Sequence, residues 1–164
     1  MTALHELPLE VSRPAPEAAA TPRWSMVHAL STKCGCSKRV LQHLVQRRAM
    51  TDVREEVALI DATPEWQTQL EDAGFSVVSL EAEQLRERFG VDAAPVLIIR
   101  SPDGALSYSG AYSQKRGAPP LDVELLNRAR AGETPEAMPL FGCAVSRELQ
   151  SRTDPFDLKY RAKP

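Results

Sequence analysis

The chain has 164 residues, 43% hydrophobic and 26% charged, the balance of one globular domain large enough to bury a core of its own. A formal net charge of -2 gives no electrostatic reason for a nucleic-acid or anionic-membrane partner. No run approaches the roughly 20 apolar residues of a membrane span. Three cysteines do not make a disulfide framework, and two of them, Cys34 and Cys36, lie two residues apart.

Residues 1–22 carry Pro8, Pro14, Pro16 and Pro22 among Ala and Glu with no sustained period, and read as an extended or disordered arm. They show no basic stretch followed by an apolar one, so the default expectation is cytoplasmic, or extracytoplasmic if the true N-terminus is missing. Trp24 to Leu30 is the first predicted strand. Ser37 to Met50 follows as a helix, with Val40, Leu41, Leu44 and Val45 at helical spacing. Val53 to Asp61 reads as a second strand, strongest over Val57 to Ile60. Thr63 and Pro64 are a helix start, as N-cap and first helical residue, and Gly74 ends that helix. Phe75 to Leu80 is a third strand and Glu81 to Phe89 a third helix, closed by Gly90. The run Val96-Leu97-Ile98-Ile99 is a buried strand, Pro102-Asp103-Gly104 a hairpin turn, and Ala105 to Tyr112 the returning strand. Leu121 to Ala131 is a helix, and the proline-bearing tail holds a short one over Ala144 to Arg152.

The order β-α-β-α-β-α-β-β-α predicts an α/β domain whose mixed sheet is covered on both faces and ends in one antiparallel hairpin. The domain is placed at 23–132, with 133–164 as a C-terminal extension packing on it.

The candidate chemistry is that of Cys34-Gly35-Cys36 at the first strand-to-helix junction. Unpaired N–H groups at a helix N-terminus favour a thiolate, and Lys33, Lys38 and Arg39 push the same way. Residues two apart on a helix point about 200° from each other, so a Cys34–Cys36 disulfide needs the pair in the turn ahead of the helix. Gly35 is expected to supply that turn through positive φ, with Ser37 as cap, or Thr32 if both cysteines are helical. Cys34, farther from the helix body, is the expected exposed nucleophile.

Two segments resemble the thioredoxin superfamily. One is Val27 to Lys38, strand, cysteine motif, then helix; the other is Phe89-Gly90-Val91-Asp92-Ala93-Ala94-Pro95 followed by the buried strand and its hairpin. The extra strand and helix between Asp61 and Phe89 is similar to TlpA-type and peroxiredoxin-like members. The resemblance implies a three-layer sandwich with Pro95 in cis beside the sulfurs, and Ala94 and Pro95 binding an extended substrate segment. It also implies thiol–disulfide oxidoreductase or redox-relay activity on protein thiols or disulfides, with Cys34 and Cys36 catalytic and no cofactor. The chain departs from the superfamily's Cys-x-x-Cys, having Cys-x-Cys with no tryptophan before it.

Two other readings stand beside this one. In the first, Cys34, Cys36 and a third ligand, Cys143 or His28, hold copper or zinc; in the second, the domain is an inactive binding module. Cys143 sits in the apolar stretch Leu140 to Val145, where a free cysteine packs, resolves a disulfide or ligates. His28, on an apolar strand, reads first as a core histidine. His43, roughly 10 Å along the helix from Cys36, reads as a surface residue that cannot share a centre with it. Trp24, Trp66, Tyr108 and Tyr112 read as packing residues, the two tyrosines on one face.

Overall fold

Residues 22–156 and 159–160 are described by the computed structural model of the chain. The predicted arm, save Pro22, lies outside them. The main sheet has five strands, β1 (Ser25–Ser31), β2 (Arg54–Ile60), β3 (Ser76–Ser79), β5 (Val96–Arg100) and β6 (Leu106–Gly110), in the order β3-β2-β1-β5-β6. β1, β2 and β3 run parallel, and β5 and β6 are antiparallel to their neighbours. The connections are α1 (Gly35–Arg47), α2 (Pro64–Asp72) and α3 (Ala82–Phe89), and α4 (Asp122–Arg130) follows the hairpin. Beyond it the chain forms β7 (Cys143–Ala144) and α5 (Arg147–Thr153); β7 pairs with β4 (Ala93–Ala94) in a separate two-stranded sheet.

Period-two alternation on the central strands sorts side chains into two cores. Met26 and Leu30 of β1, Val57 and Leu59 of β2 and Leu97 and Ile99 of β5 face one side. There they meet Leu41 and Leu44 of α1, Leu70 of α2, and Leu125 and Leu126 of α4. On the other side Ala29, Ala58 and Ile98 meet Leu85 and Phe89 of α3, Leu140 and Leu149. Each fully buried Leu or Ile contributes about 1.5–3 kcal/mol, so these two layers are the main source of stability. Trp24 and Trp66 pack against the first core, and Tyr108 and Tyr112 are buried within it. The helix starts and stops follow local chemistry. Thr63 accepts the Trp66 N–H ahead of Pro64, and α3 stops at Gly90, whose φ of 67° suits glycine.

The short strands β4 and β7 escape sequence reading because two residues carry no period. The predicted tail helix begins three residues late, at Arg147, because Cys143 and Ala144 are spent on the strand and Ser146 caps the helix by accepting the Leu149 N–H.

Candidate functional site: a thiol cluster at the start of α1

β1 delivers the chain to a turn at Thr32 and Lys33, and Cys34 becomes the N-cap residue of α1 in extended conformation. The turn is fixed from both sides. The Thr32 hydroxyl donates to the Asp61 carbonyl at 2.5 Å, and the Ser37 hydroxyl accepts the Ser31 N–H at 3.1 Å. Neither Ser37 nor Thr32 caps the helix: Cys34 holds the N-cap position, with Thr32 two residues ahead of it and Ser37 already helical. Gly35 is the first helical residue and has no positive φ; a Cβ there would meet nothing within 4 Å. Cys34 therefore lies in the turn and Cys36 in the first helical turn.

Burial reverses the expectation for Cys34. Only 1% of it is exposed, while Cys36 and Cys143 are half-buried. The extended backbone at the cap turns the Cys34 side chain inward, where its Sγ lies 3.6 Å from the Ala94 carbonyl oxygen. Its thiol is nevertheless held far below the ordinary thiol range. Hydrogen bonds from the Cys143 and Cys36 thiols favour the anion most; burial opposes them, and the Ser37 and Cys36 backbone N–H groups add to the lowering. Cys36 and Cys143 move the other way, because each shares its proton with the Cys34 sulfur and each is partly desolvated. The Arg116 and Arg39 guanidiniums temper the rise at Cys36, and Lys159 that at Cys143. Lys33, expected to act on the motif, instead pairs with Asp61 at 2.9 Å.

The structure thus gathers three sulfurs from two distant parts of the chain. One lies at a helix N-terminus, and the other two favour its anionic form. Ala94 and Pro95 lie against the same cluster. The Ala94–Pro95 peptide bond is cis, and Ala94 is the register partner of Cys143 in the small sheet. A cavity of about 360 Å³ opens beside the cluster, lined among others by Cys36, Cys143, Pro95, Tyr112, Arg39 and Arg116. Arg116 and Lys159 were not singled out from the sequence, since nothing local marks a loop cation as facing a site, Arg116 being 80 residues from Cys36 and Lys159 16 from Cys143.

His28 does not join the cluster. It is fully buried within β1, its Nδ1 2.7 Å from the Tyr112 hydroxyl and its Nε2 3.3 Å from Glu55 Oε1. Both ring nitrogens are engaged, Nδ1 with the Tyr112 hydroxyl and Nε2 with the Glu55 carboxylate, so neither is left for a metal. His28 is the core histidine of the first reading, and the alternative ligand set loses it. His43 is not a free surface residue: its Nε2 lies 2.8 Å from Asp122 Oδ1. Among the described residues no group of three His, Cys, Asp or Glu side chains is arranged to hold a metal ion.

Behind the cavity wall lies a buried charged group that the sequence reading missed. Arg47 contacts Glu55 at 2.6 Å and Asp122 at 3.1 Å, and both carboxylates are 1% exposed. Burial alone would raise Glu55; hydrogen bonds from His28 and Arg47, the charge of His28 and the Met50 N–H outweigh it and hold the carboxyl at about 2. Asp122 is likewise raised by burial and pulled to about 2 by the His43 hydrogen bond and the charges of His28 and Arg47. A signal existed. Glu55 alternates with Val57 and Leu59 on the buried face of β2, and Asp122 stands three, four and seven residues before the buried Leu125, Leu126 and Ala129.

This is a thioredoxin-like fold: a five-stranded mixed sheet between helices, with a cysteine at the start of the helix after β1 facing the residue that precedes the proline of β4–β5. No family model matches the sequence, and no curated protein does. Among solved structures, the chain is similar to an uncharacterized conserved protein from Geobacillus kaustophilus. The two share 18% identity at a TM-score of 0.61, over 77% of this chain and 78% of the other. A hypothetical protein from Sinorhizobium meliloti 1021 matches at 14% identity and a TM-score of 0.59, over 76% and 80%. A putative thioredoxin from Neisseria meningitidis matches at 13% identity and a TM-score of 0.50, over 70% and 80%. At these identities the likeness is one of fold. No helix among the described residues is long and apolar enough to cross a membrane.

Proposed function

We propose that the protein is a thiol–disulfide oxidoreductase or redox-relay protein, with Cys34 as the attacking thiolate and Cys36 as its partner in the motif. The observation that carries this reading is the placement of the Cys34 sulfur. It sits at the N-terminus of α1 beside the residue that precedes the cis proline, where the Cys36 and Cys143 thiols and the helix N–H groups favour its anion. A thiolate is the form that attacks a disulfide, and a nearby thiol is the group that resolves the resulting mixed disulfide. The partners are protein thiols or disulfides whose extended segments bind at Ala94 and Pro95. The half-buried Cys36, on the cavity wall with Arg39 and Arg116, faces the side from which such a segment would approach.

The test is thiol trapping across a glutathione redox titration. A two-electron transition that disappears in Cys34→Ser supports the reading. Three thiols that stay reduced at every poise, in folded protein, reject it in favour of a binding module. Copper or zinc that copurifies near stoichiometry and is lost in Cys34→Ser would favour a metal carrier instead.

A further inference from the structure

Cys143 reaches the cluster on a strand of its own, and the way that strand is seated says what it does. β7 pairs antiparallel with β4, Cys143 opposite Ala94 and Ala144 opposite Ala93. The Val145 and Ser146 N–H groups continue the attachment to the Asp92 carbonyl at 2.8 and 3.4 Å. Gly142 presses so close to β4 that a Cβ on it would lie 2.1 Å from the Ala94 carbonyl oxygen and 3.0 Å from Pro95 Cδ. The Cys34 sulfur lies 3.6 Å from the same carbonyl oxygen. One backbone oxygen therefore marks where the nucleophile, the residue before the proline and an extended segment bearing a cysteine all meet.

We propose that Gly142–Val145 is a tethered substrate strand. It occupies the edge of β4 on which an external cysteine-bearing segment would pair, it presents Cys143 to Cys34, and it must leave before that segment can dock. This rests on the thiol–disulfide reading above, puts Cys143 in place of Cys36 as the group that resolves, and gives the reason Cys34 is covered.

The exchange balances with a partner disulfide as oxidant. The Cys34 thiolate attacks one sulfur of the partner's disulfide; that S–S bond breaks, a mixed disulfide forms, and the departing thiolate takes up a proton. As the strand returns to β4 and displaces the segment, the Cys143 thiol, losing its proton, attacks Cys34 Sγ, the mixed bond breaks, and the partner's second sulfur leaves as a thiol. The partner gains two electrons and two protons, and Cys34 and Cys143 become a disulfide.

The seating of the tail is suited to release. β7 offers two residues of pairing, against seven register pairs between β1 and β2. Its further ties include an exposed Arg86–Glu148 ion pair, which solvent weakens, the half-buried Val145 and Leu149, and the buried Ala144, whose small side chain has little apolar area to lose; the buried Leu140 and Ser146 anchor its two ends. Segments with few buried contacts open at low free energy while the rest of the fold stays closed.

The experiment uses the full chain, a disulfide-linked peptide as oxidant, acid quenching and mapping of the disulfides formed. In the wild type the product is Cys34–Cys143. In Gly142→Val, whose side chain has no room against β4, Cys34 reacts with the peptide about tenfold faster, because the competent, open state is no longer a minor one. In Cys143→Ser, which keeps the strand seated, the Cys34–peptide mixed disulfide persists about tenfold longer than in the wild type. A wild-type product of Cys34–Cys36 with Cys143 free, or a Cys34 rate unmoved by Gly142→Val in folded protein, overturns the tethered strand and leaves the oxidoreductase reading intact. If Cys34 reacts with the peptide in none of the three proteins, the oxidoreductase reading fails and this inference with it.

Discussion

Replacing Glu55 by Gln tests whether the buried charged group holds α1 in place. The carboxylate collects four donors: Arg47 Nη2 at 2.6 Å, the Met50 N–H at 2.7 Å, Arg47 Nη1 at 3.2 Å and His28 Nε2 at 3.3 Å. A glutamine amide keeps one acceptor and turns two hydrogens toward donors, while Arg47 loses a buried counter-charge. Breaking a buried pair from one side costs about 3–5 kcal/mol. Titration gives an independent scale. A fall from 4.5 to about 2 corresponds to about 3 kcal/mol. The folded-state value is depressed, so this stability is complete above about pH 4.5 and drains away as the pH falls toward 2. Urea unfolding at pH 7 reads the effect directly. With a slope of about 2 kcal/mol per M, the midpoint of Glu55→Gln falls by about 2 M. The variant also loses much of the wild type's decline in stability between pH 4.5 and 2, with the Asp122 part remaining. A midpoint shift under about 0.5 M, or pH profiles of identical slope, would refute the account.

Other outcomes follow from single features. Gly35→Ala places a methyl where nothing lies within 4 Å on a helical backbone, so thermal unfolding should show a gain of about 0.5–1 kcal/mol with the redox titration unchanged. A loss of stability would mean that the turn needs glycine after all. The ultraviolet thiolate absorbance of the reduced protein should already show one thiolate near pH 6, and Cys34→Ser should remove it; a first thiolate appearing only near the free-cysteine value contradicts the cluster. Leu59→Ala, in the first core and fully buried, should lower the unfolding free energy by about 2–5 kcal/mol. Thr63→Ala removes the cap on the Trp66 N–H and should cost about 1 kcal/mol by the same assay.

Most of the architecture was legible because it rests on periods the chain displays. Val57 to Ile60 and Val96 to Ile99 announce buried central strands, and Thr63-Pro64 and Gly90 punctuate helices by local chemistry alone. The motif at Cys34 and Cys36 was equally visible, as was its junction. Its orientation was not. Whether a cap-position sulfur turns to solvent or into the protein depends on what covers it, and here the cover includes Ala94 and Cys143, 60 and 109 residues away. The same limit applies to β7. Leu140 to Val145 looks like any short apolar stretch until the chain that pairs with it is known. Glu55, Arg47 and Asp122 were overlooked for a different reason. Two of the three break an apolar pattern in plain sight, but a charge on a buried face makes sense only once its partners on other elements are in view.

The two unusual features of the molecule are joined by α1. Its first turn carries Cys36 and directs backbone N–H groups at the Cys34 sulfur; its last residue, Arg47, is clamped between Glu55 of β2 and Asp122 of α4. The clamp is an expensive way to fix a helix, since well-packed apolar side chains of similar volume often serve stability as well or better. Charged partners differ in being directional: Arg47 meets its carboxylates in one geometry, whereas an apolar face tolerates sliding. Sliding would matter here. The helix N-terminus acts on a thiol only across the first turn, and a displacement of an ångström or two would weaken both the N–H contribution and the donation from Cys36. His28 extends the same constraint to the cavity, holding the Tyr112 hydroxyl from Glu55's other side. The buried charges thus have a positional reason to exist, which their net contribution to stability would not supply.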